Sequence, residues 1–162
     1  MNSSRADEQA SQKQAQRKLA SGRHKARHFA MQALYQNQFN QTSAVNIEAQ
    51  FRVDFDMKGT DFEYFRELIS GTQTHTAELD AQVEPHFSDL QLEECDPVTR
   101  ALLRIGVYEL RFRIDVPYKV AINEAVNLAK KFGPAESHKF VNGVLDKAAR
   151  QLREPEVSAN SR

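Results

Sequence analysis

Apolar residues along this chain recur at helical rather than strand spacing. Ala26, Phe29, Ala30, Ala33 and Leu34 form one stripe, which predicts a first helix from about Arg23 to Phe39. The pattern weakens from Asn40 to Lys58, where Val45, Ile47, Ala49 and Phe51 support only a short helix. It returns from Thr60 as Phe62, Phe65, Leu68, Ile69, Thr72, Thr76, Leu79 and Val83, runs across Gly71, and ends at Pro85, whose ring cannot continue a helix. Asp96-Pro97 is a start signal, because the aspartate accepts from free backbone N–H groups and the proline sits where no N–H is needed. The helix it opens carries two stripes, Val98, Ala101, Leu102, Ile105, Tyr108 and Phe112 on one side and Leu103, Val107, Leu110 and Ile114 on the other. A helix apolar on most of its circumference belongs at the centre of a fold.

Val116-Pro117 breaks the chain, since the residue before proline avoids the α region. Val120, Ala121, Ile122, Ala125, Val126, Leu128, Ala129 and Phe132 then mark a helix that stops at Gly133-Pro134. Ser137 is expected to cap a last helix that buries Val141, Val144, Leu145, Ala148 and Leu152, with Gly143 permitting close helix packing. No stretch alternates with period two, so the expected fold is all-α, without internal repeats.

The two ends read differently. Residues 1–22 are polar, almost free of large apolar side chains and rich in Gln, Ser, Ala and Lys, a composition that predicts a disordered basic arm. Residues 23–153 are expected to form a single helical domain, and residues 154–162, beyond the last apolar stripe, a flexible tail. A chain of 162 residues supports one substantial core.

Composition removes several function classes. Cys95 is the only cysteine, so no intrachain disulfide is possible and a reducing, cytoplasmic setting follows. No run of eighteen apolar residues exists to span a membrane, and the N-terminus lacks a signal-peptide core. The formal net charge is zero, but it divides into +5 for residues 1–28, −10 for residues 29–96 and +5 for residues 97–162. Basic ends around an acidic centre suit two partners, one polyanionic and one basic, although solvated helix faces explain any single cluster equally well.

Enzyme signatures are absent: there is no phosphate loop, dinucleotide glycine motif, HExxH or nucleophile elbow. No cofactor is implied. His24 and His28 have ligand spacing but no third ligand, and Arg23, Lys25 and Arg27 around them repel a cation, so no metal site is expected. Glu93, Glu94 and Asp96 form an acidic cluster that fits a protein contact or a solvated face, and Cys95 beside them has a disfavoured thiolate. Arg17, Lys18, Arg23, Lys25 and Arg27 place five cations within eleven residues, which attracts phosphates through counterion release. Lys130, Lys131 and Lys139 with Phe140 flank the Gly133-Pro134 turn; Phe140 fits base stacking or a core position, and periodicity does not decide between them.

The segment DVPYKVAINEAVNLAKKFGPAESHKFVNGVLDKAAR, Asp115 to Arg150, closely resembles the C-terminal helices of the NusB family of bacterial antitermination factors. ARHFAMQALYQNQF from Ala26 is similar to that family's first helix, and FRELISG and TRALLRIGVYEL to its middle helices, so the likeness spans roughly residues 23–150. The resemblance implies a compact seven-helix fold of two small helical subdomains. It also implies binding of the boxA element of nascent RNA together with NusE, a small-subunit ribosomal protein, within an RNA polymerase antitermination complex that supports read-through of ribosomal RNA operons.

Matched position by position, the resemblance puts RNA contacts at Arg23, His24, Lys25, Arg27 and Tyr35 on the first helix and at Phe132, Glu136, Lys139, Phe140 and Asn142 around the last turn. It puts the protein partner near Glu93, Thr99 and Tyr108. Two departures stand out: the arm is about seventeen residues longer than usual, and His24-Lys25 replaces arginines, leaving fewer bidentate phosphate contacts. Two other readings remain open, a protein-interaction or homodimerisation module and the RNA-binding domain of a ribosomal RNA methyltransferase, of which this chain would be a fragment.

Overall fold

In the computed structural model, residues 2–87 and 94–160 are described, and they are all-helical. The elements are α1 (Asn2–Asn37), α2 (Ala44–Asp54), α3 (Phe62–Thr74), α4 (Thr76–Val83), a 3₁₀ turn (Glu84–His86), α5 (Pro97–Phe112), α6 (Tyr118–Phe132), α7 (Ser137–Leu152) and α8 (Glu154–Asn160). Side-chain caps set three starts. Ser43 accepts from the Asn46 N–H, Asp61 from that of Tyr64 and Asp96 from that of Thr99, the last with Pro97 in the first turn.

As its two stripes predict, α5 lies at the centre. It packs against α1, α3, α4, α6 and α7, and residues 105–110 are buried without interruption. The resemblance implied two small subdomains; the buried apolar residues form one continuous cluster reaching from Ala26 to Ala149. At the end of α5 burial fails: Ile114 is 75% exposed, because the helix stops at Phe112 and the chain turns outward toward Pro117.

Several expectations change. The arm is not disordered, for α1 runs unbroken from Asn2 to Asn37. Its Ala, Gln, Arg and Lys are strong helix formers, and anchored turns downstream supply the nucleus from which a helix propagates. The long pattern from Thr60 splits at His75, whose φ of −111° and ψ of 19° end α3 and start α4. Ser137 is the first residue of α7 rather than its cap; Glu136 precedes it in a left-handed conformation, φ 69°, and makes no side-chain cap.

The expected flexible tail contains α8, which brings the α-helices among the described residues to eight, against the seven implied. Arg153 is its anchor. Buried at 4% exposure, Arg153 donates to the carbonyls of Leu110 (2.6 Å), Glu109 (3.1 Å) and Arg113 (2.8 Å) and pairs with Glu156 at 2.6 Å. The carbonyls at the end of α5 thus receive a cation from the C-cap of α7, and α8 is held by the carboxylate that completes the set.

Close helix approach occurs at other glycines than Gly143. A Cβ added to Gly71 would lie 2.3 Å from the Tyr108 ring, and one on Gly106 would lie 2.6 Å from Leu145, whereas Gly143 is exposed with nothing within 4 Å. The α3–α5 and α5–α7 contacts therefore depend on Gly71 and Gly106. Gly71→Ala is expected to destabilise by about 1–3 kcal/mol through overpacking, whereas Gly143→Ala should stabilise by about 0.5–1 kcal/mol through helix propensity. Denaturant unfolding of the two variants checks both signs.

Candidate nucleic-acid interface

The cationic start of α1 divides its side chains between the core and the surface. Arg27 turns inward to 3% exposure, where its Nε and Nη2 grip both carboxylate oxygens of Glu109 at 2.8–3.1 Å. The Tyr64 hydroxyl donates to the same carboxylate, and Glu124 of α6 lies 3.8 Å from the guanidinium. Burial disfavours the guanidinium charge, but the Glu109 carboxylate outweighs it and holds Arg27 charged; burial and Glu109 together hold the Tyr64 phenol protonated. Arg27, expected to contact RNA, is structural: its charge is already spent on Glu109.

Arg23 lies across the Tyr64 ring, 4.7 Å from its centroid, and reaches Asp115 at 3.4 Å. Lys25 is exposed and donates to the Lys58 carbonyl at 3.1 Å. His24 meets Glu124 at 2.7 Å through Nδ1. One turn on, His28 stacks against Phe29, with ring centroids 5.3 Å apart, and against Phe132 at the end of α6, at 5.0 Å. His28 holds its proton more weakly than an ordinary histidine, first because it is partly buried and then because His24 and Lys131 repel its charged form. The structure thus brings His24, His28, Lys131 and the half-exposed Phe132 into one patch where α1 meets the end of α6. His28 went unnamed among the site residues in the sequence, although its spacing of four from His24 was the available signal.

Beyond that patch the predicted residues scatter. Glu136 and Lys139 are exposed and paired with each other at 2.5 Å across the turn, and Asn142 is exposed beside Gly143. Phe140 packs inward against Phe87, centroids 5.2 Å apart, and belongs to the core side. Tyr35 is exposed at the far end of α1 and meets the edge of Phe39, itself 69% exposed and missed by the sequence reading.

Of the expected protein-partner residues, the two that are described are both buried. Glu93 lies outside the described residues. Thr99 is 2% exposed, with its backbone N–H and hydroxyl both given to Asp96. Tyr108 is buried against Gly71 and donates to Glu67 at 3.0 Å; burial, then the Glu67 carboxylate, pushes its phenol up to about 12. The acidic block is also less free than its sequence suggests, because Arg104 pairs with Asp80, Arg111 with Glu78 and Arg113 with Glu67. Among the described residues, no three His, Cys, Asp or Glu are arranged to hold a metal ion, and no helix is long and apolar enough to cross a membrane.

Residues 24–150 match the family model described as the NusB family. The chain belongs to the NusB family of transcription antitermination proteins. It is 58% identical over 140 residues to the transcription antitermination protein NusB of Teredinibacter turnerae, covering 86% of this chain and 95% of that one. It is 55% identical over 131 residues to its namesake in Escherichia coli, covering 81% and 94%. Among solved structures, NusB of T. maritima superposes with a TM-score of 0.69 at 30% identity over 80% of this chain and 91% of that one. A chain from a crystal structure of antitermination factors NusB and NusE in complex with double-stranded RNA superposes with a TM-score of 0.69 at 28% identity, over 80% and 96%. NusB-family membership makes the role one in transcription rather than catalysis.

Two measurements test this geometry. Arg27→Met is expected to cost about 3–5 kcal/mol of folding stability by leaving Glu109 buried and unpaired, and Arg27→Met with Glu109→Leu should recover much of that loss; a double-mutant cycle by urea denaturation reads it. Because folding lowers the His28 pKa, the unfolded chain binds the proton more readily. The His28 contribution to stability is therefore complete above its unfolded value of about 6.5 and is lost as pH falls from there toward the folded value. Between pH 7.5 and 5, His28→Asn should show a shallower loss of stability than the parent protein.

Proposed function

We propose that this chain binds boxA-type nascent RNA together with NusE, and so supports RNA polymerase read-through in ribosomal RNA operons. The observation that carries the reading is the patch of His24, His28, Lys131 and Phe132, where a half-exposed ring stands among nitrogen donors and a lysine. An exposed aromatic face offers a platform for an unpaired base, and neighbouring cations hold the phosphates on either side. Lys25, Lys139 and Asn142 extend the same chemistry on α1 and α7, and exposed Tyr35 supplies a second ring. The related NusB–NusE assembly with RNA supports both partners.

Glu136 sets a limit on this surface. Its carboxylate neutralises Lys139 and repels phosphate, so the chain alone should bind RNA weakly and gain from a basic partner that shares the strand. Fluorescence anisotropy with boxA RNA, with and without NusE, tests the reading. NusE should tighten binding, and Phe132→Ala should weaken it by about 1–3 kcal/mol through lost stacking. Lys25→Ala with Lys139→Ala should lower the salt slope, by about 0.7 for each single-strand phosphate contact removed. No gain from NusE, or an affinity independent of salt, sinks the proposal and favours a protein-interaction module.

A further inference from the structure

The family model begins at residue 24, yet α1 begins at Asn2, and every residue from Ser3 to Ser21 is exposed. This length of helix rises about 30 Å at 1.5 Å per residue. Leu19 rests between two shallow grooves, one toward Gly59–Asp61 and one toward Val116–Val120, and the preceding turns run on past the folded body. Leu19 is the single large apolar side chain on the segment, so the segment has no apolar face with which to join another helix.

What the segment carries instead is two cations, Lys13 and Arg17, in line with the imidazoles of His24 and His28. Lys13, Arg17, His24 and His28 follow one another at spacings of four, seven and four, which places them along a single stripe of a 3.6-residue helix. Ala6 and Ala10 continue the stripe toward the N-terminus, while Asp7 and Glu8 fall on other sides. Among the described residues, neither Lys13 nor Arg17 appears in an ion pair, so both charges face solvent. The stripe leads directly into the His28–Phe132 patch.

We propose that the N-terminal half of α1 is a phosphate track for RNA flanking the element bound at the His28–Phe132 patch. The inference rests on the RNA reading above and deepens it. Two cations a turn apart on a rigid helix follow a backbone without reading bases, and because the helix is already formed, binding it costs little ordering. The track therefore lengthens the RNA footprint without adding sequence specificity.

The test uses the full chain with NusE and two RNAs, a boxA element alone and the same element with ten unstructured uridines at each end. The flanked RNA should bind the parent protein more tightly. Lys13→Gln with Arg17→Gln, which keeps helix propensity, should abolish that gain, weakening the flanked RNA about tenfold at 50 mM salt and lowering its salt slope by about 1.4, while leaving the short RNA unchanged. Arg17→Gln should cost more than Lys18→Gln, which removes the same charge off the stripe. Equal affinity of the parent for both RNAs, or a gain that survives the double substitution, overturns the track. Self-association that disappears with the double substitution while RNA affinity stays intact assigns the helix to a second copy and overturns it as well. Failure of the parent to bind either RNA is a different result, since there the RNA reading falls and takes the track with it.

Discussion

The architecture depends on one buried ion pair. Arg27 and Glu109 are 3% and 1% exposed, and around their contact converge α1, α3 through the Tyr64 hydroxyl, α5, and α6 through Glu124. Burying both charges is costly, so such a pair persists only when its geometry is close and its remaining lone pairs are satisfied. Here the fork of Arg27 takes both oxygens and Tyr64 takes a further lone pair. An apolar pair of the same volume could pack there as well, but it would not fix the rotation of α1 about its axis. The directional contact does, and the orientation of every other residue on α1 follows from it.

That rotation explains why the basic residues at the start of α1 do different work. With Arg27 turned into the core, Arg23 four residues earlier lies across Tyr64 toward Asp115, and Arg113 approaches the same ring and the same Asp115. The Arg113 guanidinium, and then Arg23, hold the Asp115 carboxyl down at about 2. His24, Lys25 and His28 are left on the surfaces that remain. A cluster that reads as uniformly electropositive is, once folded, part structural ion-pair network and part exposed patch.

How much of this was legible follows from what periodicity encodes. The centre of the fold, α5, and the stops at Val116-Pro117 and Gly133-Pro134 were readable because burial on a helix repeats every 3.6 residues and proline and glycine mark its ends. The identities of buried charges were not. Arg27, Glu109 and Arg153 are the residue types a pattern assigns to solvent, and only partners far away in sequence make their burial tolerable. Periodicity put Tyr108 on a buried stripe, and it was the family resemblance that turned Tyr108 and Thr99 toward a partner; tertiary contacts enclose both. Both ends were misread for a different reason, since composition alone is silent on the anchors, α1 beyond Gly22 and Arg153, from which a polar helix propagates.

The candidate site was legible in kind but not in arrangement, and the arrangement comes from the core. Rings of Phe65, Phe51, Phe29, His28 and Phe132 follow one another at centroid separations of 5.0–6.5 Å, from α3 through α2 and α1 to the end of α6. Four of these five rings are buried or partly buried, and only Phe132 emerges, so its orientation is set from within. Aromatic contacts of this kind each contribute about 0.5–1.5 kcal/mol beyond the area they bury, and together they hold the exposed face of Phe132 in place before any ligand arrives. The ladder also contains a single titratable member. Protonating His28 would put a charge between two apolar rings and beside Lys131, a position where desolvation and like charge act in the same direction. The neutral imidazole is therefore the form that stacks, and the patch is cationic through Lys131 while His28 serves mainly as a ring.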